Sequence, residues 1–293
     1  MIVDAHHHVW DPAGRRHAWL DALPALRRRF DLSDFRQAAG AQGVTASVLV
    51  QVLADVAETE EFLAAAAASG ESGEDEGGEG AAVTVAGVIG WVDLEGPDVG
   101  GEIARLRELP GGGKLAGIRH LVQDEPDPGW LDRSAVRRGL RAVGAAGLVY
   151  DLLIRPGQLP AALRLTADLD SVAFVLDHAA KPQIAAGRLQ PWAARMAQLG
   201  ARPNVACKVS GLVTEAGPGW RSAQFTRYAE VIMASFGPDR LMFGSDWPVC
   251  TLAATYGQVL SLARALLSGQ LSPAECDAIF GGTARSVYSL RPR

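Results

Sequence analysis

Near its start the chain carries DAHHHVWDP, in which His6, His7 and His8 stand in a row among only six histidines in 293 residues. Imidazoles two positions apart on an extended segment project to the same side. Such an HxH pair can set two nitrogens around one metal ion or one substrate oxygen. Alternation predicts that Ile2, Asp4, His6 and His8 share one face and that Val3, Ala5 and His7 share the other. With Val3 and Ala5 packed on outer helices, His6 and His8 point inward, Asp4 lies a layer below as an acceptor, and His7 faces out. The bland alternative is that His6 and His8 are hydrogen-bonded core residues. His178 in VAFVLDHAAKP and Asp246 in RLMFGSDWPVC end two further runs, and burying so many ionisable groups without a function would be costly. One carboxylate can take a proton from water and return it to a leaving group. Imidazoles, or a metal they hold, can polarise a carbonyl and keep that carboxylate ionised. Asp246, His178, His6 and His8 are thus the candidate catalytic residues, and the same four are the candidate metal ligands.

Candidate substrate contacts lie at comparable places. Arg119 and His120 are neighbours, so only one of them faces inward, and alternation does not decide which. Lys208 can reach a substrate hydroxyl or carboxylate, or pair with a buried acid such as Asp151. Gln51, Asp151, Trp91, Tyr150 and Trp247 complete the list, the aromatics as apolar walls for a ring. His17 reads as a surface loop residue. GSDWP at Ser245 is no GxSxG elbow, and no phosphate-cradling loop is present.

These groups need a scaffold that gathers strand ends. Eight short segments rich in Val, Ile, Leu or Ala read as strands: MIVDAHHHVW, VTASVLVQV, VAGVIGWVDL, KLAGIRHLVQ, GLVYDLLI, VAFVLDHAAKP, NVACKVSGLV and RLMFGSDWPV. Most are apolar on both faces, as buried parallel strands are. Helical spacing fills the intervals, for example in DRSAVRRGLRAVGAAG, with Asp132 or Ser134 as N-cap and Gly147 as C-cap. The pattern predicts a single (β/α)8 barrel over residues 1–293, with the polar residues at the C-terminal strand ends where such barrels build their sites. A doubly wound sheet is the runner-up, weakened by the absence of GxGxxG after the first strand. The acidic, Gly-rich stretch at about 69–81 predicts a flexible surface loop.

The formal net charge of −5 argues against nucleic acid as a partner, and no apolar run reaches the length of a membrane span. Cys207, Cys250 and Cys276 form no CxxC pair, and no signal peptide is evident, so a cytoplasmic protein with reduced thiols is expected. A homo-oligomer is compatible with the composition.

The stretches DAHHHVWDP, GIRHLVQDEPDPGWL, GLVYDLLIRP, DHAAKP, CKVSGL and RLMFGSDWPVC, in this order, resemble the amidohydrolase superfamily. The likeness is to its lactone-hydrolysing branch, related to fuconolactonase, rhamnonolactonase and the muconolactone and pyrone-dicarboxylate hydrolases. The resemblance implies a distorted (β/α)8 barrel, opening of a small-molecule lactone, and the general acid/base role for Asp246. Many members carry a bridging lysine on strand 4 and a histidine on strand 5 for a second metal. Here strand 4 offers Arg119-His120 and strand 5 Tyr150-Asp151, which argues against a two-metal centre. One divalent ion, zinc first, and metal-free catalysis are the two implied alternatives. A sugar-acid lactone is the leading substrate. An anionic aromatic-pathway lactone, a metal-dependent decarboxylation and a non-catalytic binding barrel are the competing readings.

Overall fold

The computed structural model describes residues 1–71, 83–267, 269 and 271–290. Its eight strands are β1 (Ile2–His7), β2 (Val44–Val50), β3 (Thr84–Gly90), β4 (Leu115–His120), β5 (Val149–Leu152), β6 (Phe174–Leu176), β7 (Val205–Val209) and β8 (Leu241–Phe243). They lie side by side in chain order, each parallel to the next. The ring closes just past β8, where His8 N–H donates to Trp247 O (2.7 Å) and Asp246 N–H to His6 O (2.8 Å). The expected (β/α)8 barrel is therefore present, distorted in that β6 and β8 are only three residues long.

The crossover helices are α1 (Leu32–Gly40), α2 (Val56–Glu71), α3 (Val99–Arg107), α4 (Ser134–Ala145), α5 (Leu159–Asp168) and α6 (Trp192–Gly200). The β7–β8 connection carries α7 (Leu212–Ala216) and α8 (Thr226–Phe236), and α9 (Tyr256–Leu267) follows β8. The last helices are α10 (Pro273–Asp277) and α11 (Thr283–Val287). In α4, Val136, Leu140 and Val143 form the buried stripe. Its N-cap is Arg133, not Asp132 or Ser134, because the Asp132 carboxylate is held by Arg137 (2.9 Å) and Arg164 (2.6 Å). Gly147 does follow the helix in the left-handed region, with φ 68°. Of the expected acidic loop, residues 69–71 form the end of α2, and the rest lies outside the described residues.

Two apolar layers explain the strand compositions. Leu49, Ile118, Leu152, Leu176 and Phe243 pack outward with Leu63, Leu140, Leu165 and Ile232 of the helices. Val48, Ile89, Val149, Val175, Ala206 and Met242 fill the barrel interior, joined from below by Ala284, Tyr288 and Leu290 of the C-terminal segment. Each fully buried Leu or Ile contributes roughly 1.5–3 kcal/mol.

The first strand departs from simple alternation. Val3 and Ala5 belong to the interior cluster, and Asp4 faces the helices, accepting from Tyr256 Oη (2.9 Å) and Ser245 N (2.9 Å). Opposite β2, Asp4 pairs with Ser47 and His7 with Leu49, so three steps on β1 match two on β2. This bulge inserts one residue and inverts the pleat beyond it. His6 consequently turns inward and His7 outward, as expected, although the residues before them face opposite to expectation.

Candidate active site

The inward-facing ends of β1, β4, β6 and β8 converge at the C-terminal mouth. His8 Nδ1 lies 2.7 Å from Val50 O, which can only accept, so the proton sits on Nδ1 and Nε2 presents a lone pair. His6 Nε2 stands 3.1 Å from His8 Nε2. Asp246 Oδ1 lies 3.5 Å from His8 Nε2, 3.8 Å from His6 Nε2 and 3.8 Å from His178 Nε2. Three imidazoles thus surround one carboxylate oxygen, and all four residues are buried. His7 is excluded: it stacks on Phe35 at 3.7 Å and bonds Ser47 Oγ at 3.0 Å, on the helix side of the sheet.

The backbone is strained where two of these groups sit. His178, Ala179, Ala180 and Lys181 all have positive φ, from 47° to 57°, and Asp246 has φ 58°. Non-glycine residues adopt this region at roughly 1–2 kcal/mol each. Ala179 and Ala180 are fully buried and Trp192 Nε1 donates to Ala179 O (2.8 Å), so packing holds the turn in place. The turn swings His178 over the mouth, where its Nδ1 meets Ser210 Oγ at 2.8 Å. Two glycines leave room. A Cβ on Gly211 (φ 64°) would lie 2.7 Å from His178 Nδ1, and one on Gly244 would lie 2.7 Å from His6 Cβ.

Arg119 is the inward member of the Arg119-His120 pair, since Ile118 faces the helices. It is almost fully buried. Its Nη1 donates to Asp177 Oδ2 (2.9 Å) and approaches His6 Nε2 (3.3 Å), and its Nη2 is held by the Gln51 carbonyl and Gln51 Oε1. His120 sits on the rim, accepting from Trp91 Nε1 (3.0 Å), paired with Glu125 (2.7 Å) and stacked on Trp130 at 4.3 Å. Gln51, Arg119, Trp91 and His120 therefore lie at or around the mouth. Lys208 and Asp151 lie beneath it, paired at 2.5 Å and both without solvent exposure. Tyr150 and Trp247 are not brought to the site: both lie in the helix-facing layer, against Phe174 and against Phe30 and Phe35. His17 is buried rather than on the surface, with Nδ1 2.7 Å from Arg15 O.

Asp177 is the residue that sequence reasoning missed. Its Oδ1 lies 3.3 Å from His6 Nδ1 and 3.0 Å from Lys208 Nζ. It shares the parity of interior Val175, which was the available signal. The left-handed turn then brings adjacent His178 inward as well, which alternation forbids.

Burial sets the protonation states. It pushes the imidazoles of His6, His7 and His8 down and that of His178 to about 4, so they are neutral at pH 7. Burial would raise Asp246, but the surrounding histidines, His178 first among them, outweigh it and hold the carboxyl well below the usual range. The site is therefore an ionised carboxylate ringed by neutral imidazoles, with one guanidinium alongside.

This donor set fits one metal ion. Ligand atoms of His6, His178 and Asp246 all lie within 4.8 Å of one another. Ligands about 2.0–2.2 Å from a tetrahedral zinc are about 3.3–3.6 Å apart, and Asp246 Oδ1 lies 3.8 Å from both His6 Nε2 and His178 Nε2. When His6 Nδ1 donates toward Asp177 Oδ1 (3.3 Å), Nε2 is bare, the arrangement metal-ligating histidines adopt.

A family model described as amidohydrolase matches residues 3–290. The chain is 36% identical over 292 residues to an L-fucono-1,5-lactonase of Burkholderia ambifaria, covering 98% of this chain and 95% of that protein. It is 38% identical over 304 residues to an L-fucono-1,5-lactonase of Burkholderia multivorans, covering 99% and 96%. Among solved structures, a zinc-bound amidohydrolase of Burkholderia multivorans superposes with a TM-score of 0.88 at 36% identity, covering 99% of this chain and all of that one. With its barrel, its strand-end constellation and these relatives, the chain belongs to the amidohydrolase family.

Proposed function

We propose that this protein hydrolyses the ester bond of a sugar-acid lactone of the fucono, rhamnono or galactono type. The observation that carries the reading is the Asp246 carboxylate ringed by His6, His8 and His178, in a chain 36–38% identical to two L-fucono-1,5-lactonases. In the proposed reaction Asp246 takes a proton from the attacking water while the new C–O bond forms at the lactone carbonyl. Charge gathering on the carbonyl oxygen is met by the Arg119 guanidinium, held in place by Gln51 and Asp177. As the ring C–O bond breaks, Asp246 returns its proton to the departing ring oxygen, leaving an open hydroxy acid. His178, fixed by Ser210, and His8, fixed by Val50, frame the Asp246 carboxylate.

One zinc ion per chain fits this account. His6, His178 and Asp246 would hold it, with His8 beside them, and it would supply Lewis-acid polarisation of the carbonyl. At the rim, Trp91 and His120 are suited to contact the sugar ring, and Gln51 to orient it. Nucleic acid has no place in this account, and no described helix is long and apolar enough to cross a membrane. The test is a substrate panel with separate readouts: acid release from freshly prepared aldonolactones, acid release from muconolactone and pyrone dicarboxylate, and carbon dioxide release from aromatic carboxylates. Turnover confined to the aldonolactones is expected. Turnover confined to either other group would replace the proposed substrate class.

A further inference from the structure

Below the mouth, a chain of buried polar contacts runs from the C-terminal segment to His6. Tyr288 Oη lies 2.8 Å from Asp151 Oδ1 and 3.0 Å from Oδ2, so its hydroxyl donates to that carboxylate. Asp151 Oδ2 lies 2.5 Å from Lys208 Nζ, and Lys208 Nζ lies 3.1 Å from His6 Nδ1. The residues come from the segment after α11, from β5, from β7 and from β1. All four are buried, and Lys208 Nζ also stands 5.3 Å from the centre of the Tyr288 ring.

Such a chain is costly as a packing device. A buried ion pair contributes little net stability compared with apolar residues of the same volume, because desolvation offsets the attraction. What it does supply is position. Lys208 faces two acceptors besides His6, namely Asp151 at 2.5 Å and Asp177 at 3.0 Å. The place the ammonium takes among the three decides whether His6 Nδ1 accepts from Lys208 or gives its own proton to Asp177. That choice fixes which ring nitrogen of His6 is bare at the mouth. Asp177 is held from the side by Arg119 (2.9 Å), and Asp151 is held from below by the phenol rising through the barrel floor.

We infer that Tyr288 is a positioning residue for the reaction: through Asp151 and Lys208 it fixes the orientation and the protonated nitrogen of His6. The inference rests on the proposed role of His6, but not on the identity of the substrate. It makes the C-terminal segment part of the site's support as well as the plug of the barrel.

The test compares full-length wild type with Tyr288→Phe, which keeps the ring in the floor and removes only the hydroxyl. Asp151→Asn serves as a second break in the same chain. Leu290→Ala is the control, because Leu290 packs in the same interior cluster without joining these contacts. Histidine ring-nitrogen resonances of 15N-histidine-labelled protein are recorded alongside kcat and KM. For Tyr288→Phe the His6 resonances are expected to move while those of His17 and His120 stay. kcat should fall roughly 3- to 10-fold with KM within about twofold, less than the 10–100-fold typical of groups directly behind a ligand. Asp151→Asn should move the same His6 resonances, and Leu290→Ala should lower Tm while leaving them and kcat in place. Unmoved His6 resonances in both Tyr288→Phe and Asp151→Asn, or equal movement in Leu290→Ala, would overturn the inference. The resonances need no substrate, so a chain that opens no lactone yet shows the expected movement would retire the substrate proposal alone.

Discussion

Replacing Gly211 with alanine separates two costs that usually come together. Gly211 has φ 64°, so any side chain there costs about 1–2 kcal/mol in backbone strain. The new Cβ would also lie 2.7 Å from His178 Nδ1 and 2.9 Å from its Cγ. Restoring an ordinary contact of about 3.4 Å requires the imidazole to retreat by about 0.7 Å. His178 cannot retreat freely, because its ring is bonded to Ser210 and its backbone lies in a packed left-handed turn. A misplacement approaching 1 Å can cost on the order of 100-fold in rate. Gly217 supplies the control: its φ is 78°, and an added Cβ would meet nothing within 4 Å. Gly217→Ala should therefore incur backbone strain alone, about 1–3 kcal/mol, because φ 78° with ψ 172° is a region that glycine alone adopts readily. Each variant is expected to lose a few degrees of Tm, at about 2–4 °C per kcal/mol in a chain of this size. Only Gly211→Ala should lose lactonase activity, by about 10- to 100-fold. Thermal unfolding and initial rates on the same preparations decide the matter. Equal activity of the two variants would refute the claim that His178 is held in place for the reaction.

Further expectations follow from other contacts. His7→Ala should cost about 2–4 kcal/mol through the lost Phe35 stack and the cavity left behind, with kcat within threefold, whereas His6→Ala should lose at least about 100-fold in kcat. Chemical denaturation and steady-state rates check both halves. Glu58, whose Oε2 accepts from Val52 N (2.7 Å) and Leu53 N (2.9 Å), is pushed up to about 7 by burial. Because its folded value lies above the ordinary 4.5, the unfolded chain loses this proton first as pH rises. Its ionised form therefore costs stability progressively between about pH 4.5 and 7, by at most on the order of 3 kcal/mol. Glu58→Gln should gain stability relative to wild type as pH is raised from 5 to 8, and a pH-independent difference in urea unfolding would refute this. Elemental analysis should find one zinc per chain, and chelation followed by zinc should abolish and restore activity. Full activity in metal-free protein would remove the ion from the account.

The barrel was legible because its evidence is repeated: eight buried runs, each ending in polar residues that a barrel mouth requires. The site was legible for the same reason, since His6, His178 and Asp246 each end a run. Other features were hidden by their physics. Alternation counts residues, and the bulge at the end of β1 adds one, so Asp4, Val3 and Ala5 face opposite to expectation while His6 and His8 do not. The left-handed turn at His178 breaks the same counting rule and puts Asp177 and His178 on one side. Tyr150 is the opposite case. It lies between interior Val149 and Asp151, so parity already placed it among the helices. Tyr288 left no local signal, because its partner Asp151 is 137 residues away.

The central claim is that Asp246 moves the protons of lactone opening. The most direct measurement compares acid release from fresh L-fucono-1,5-lactone by wild type and by Asp246→Asn, with both shown to be folded and the metal content of each measured. Rapid release by the wild type and a loss of about 10²- to 10⁴-fold in the variant are expected. Comparable rates for the two proteins would contradict the account.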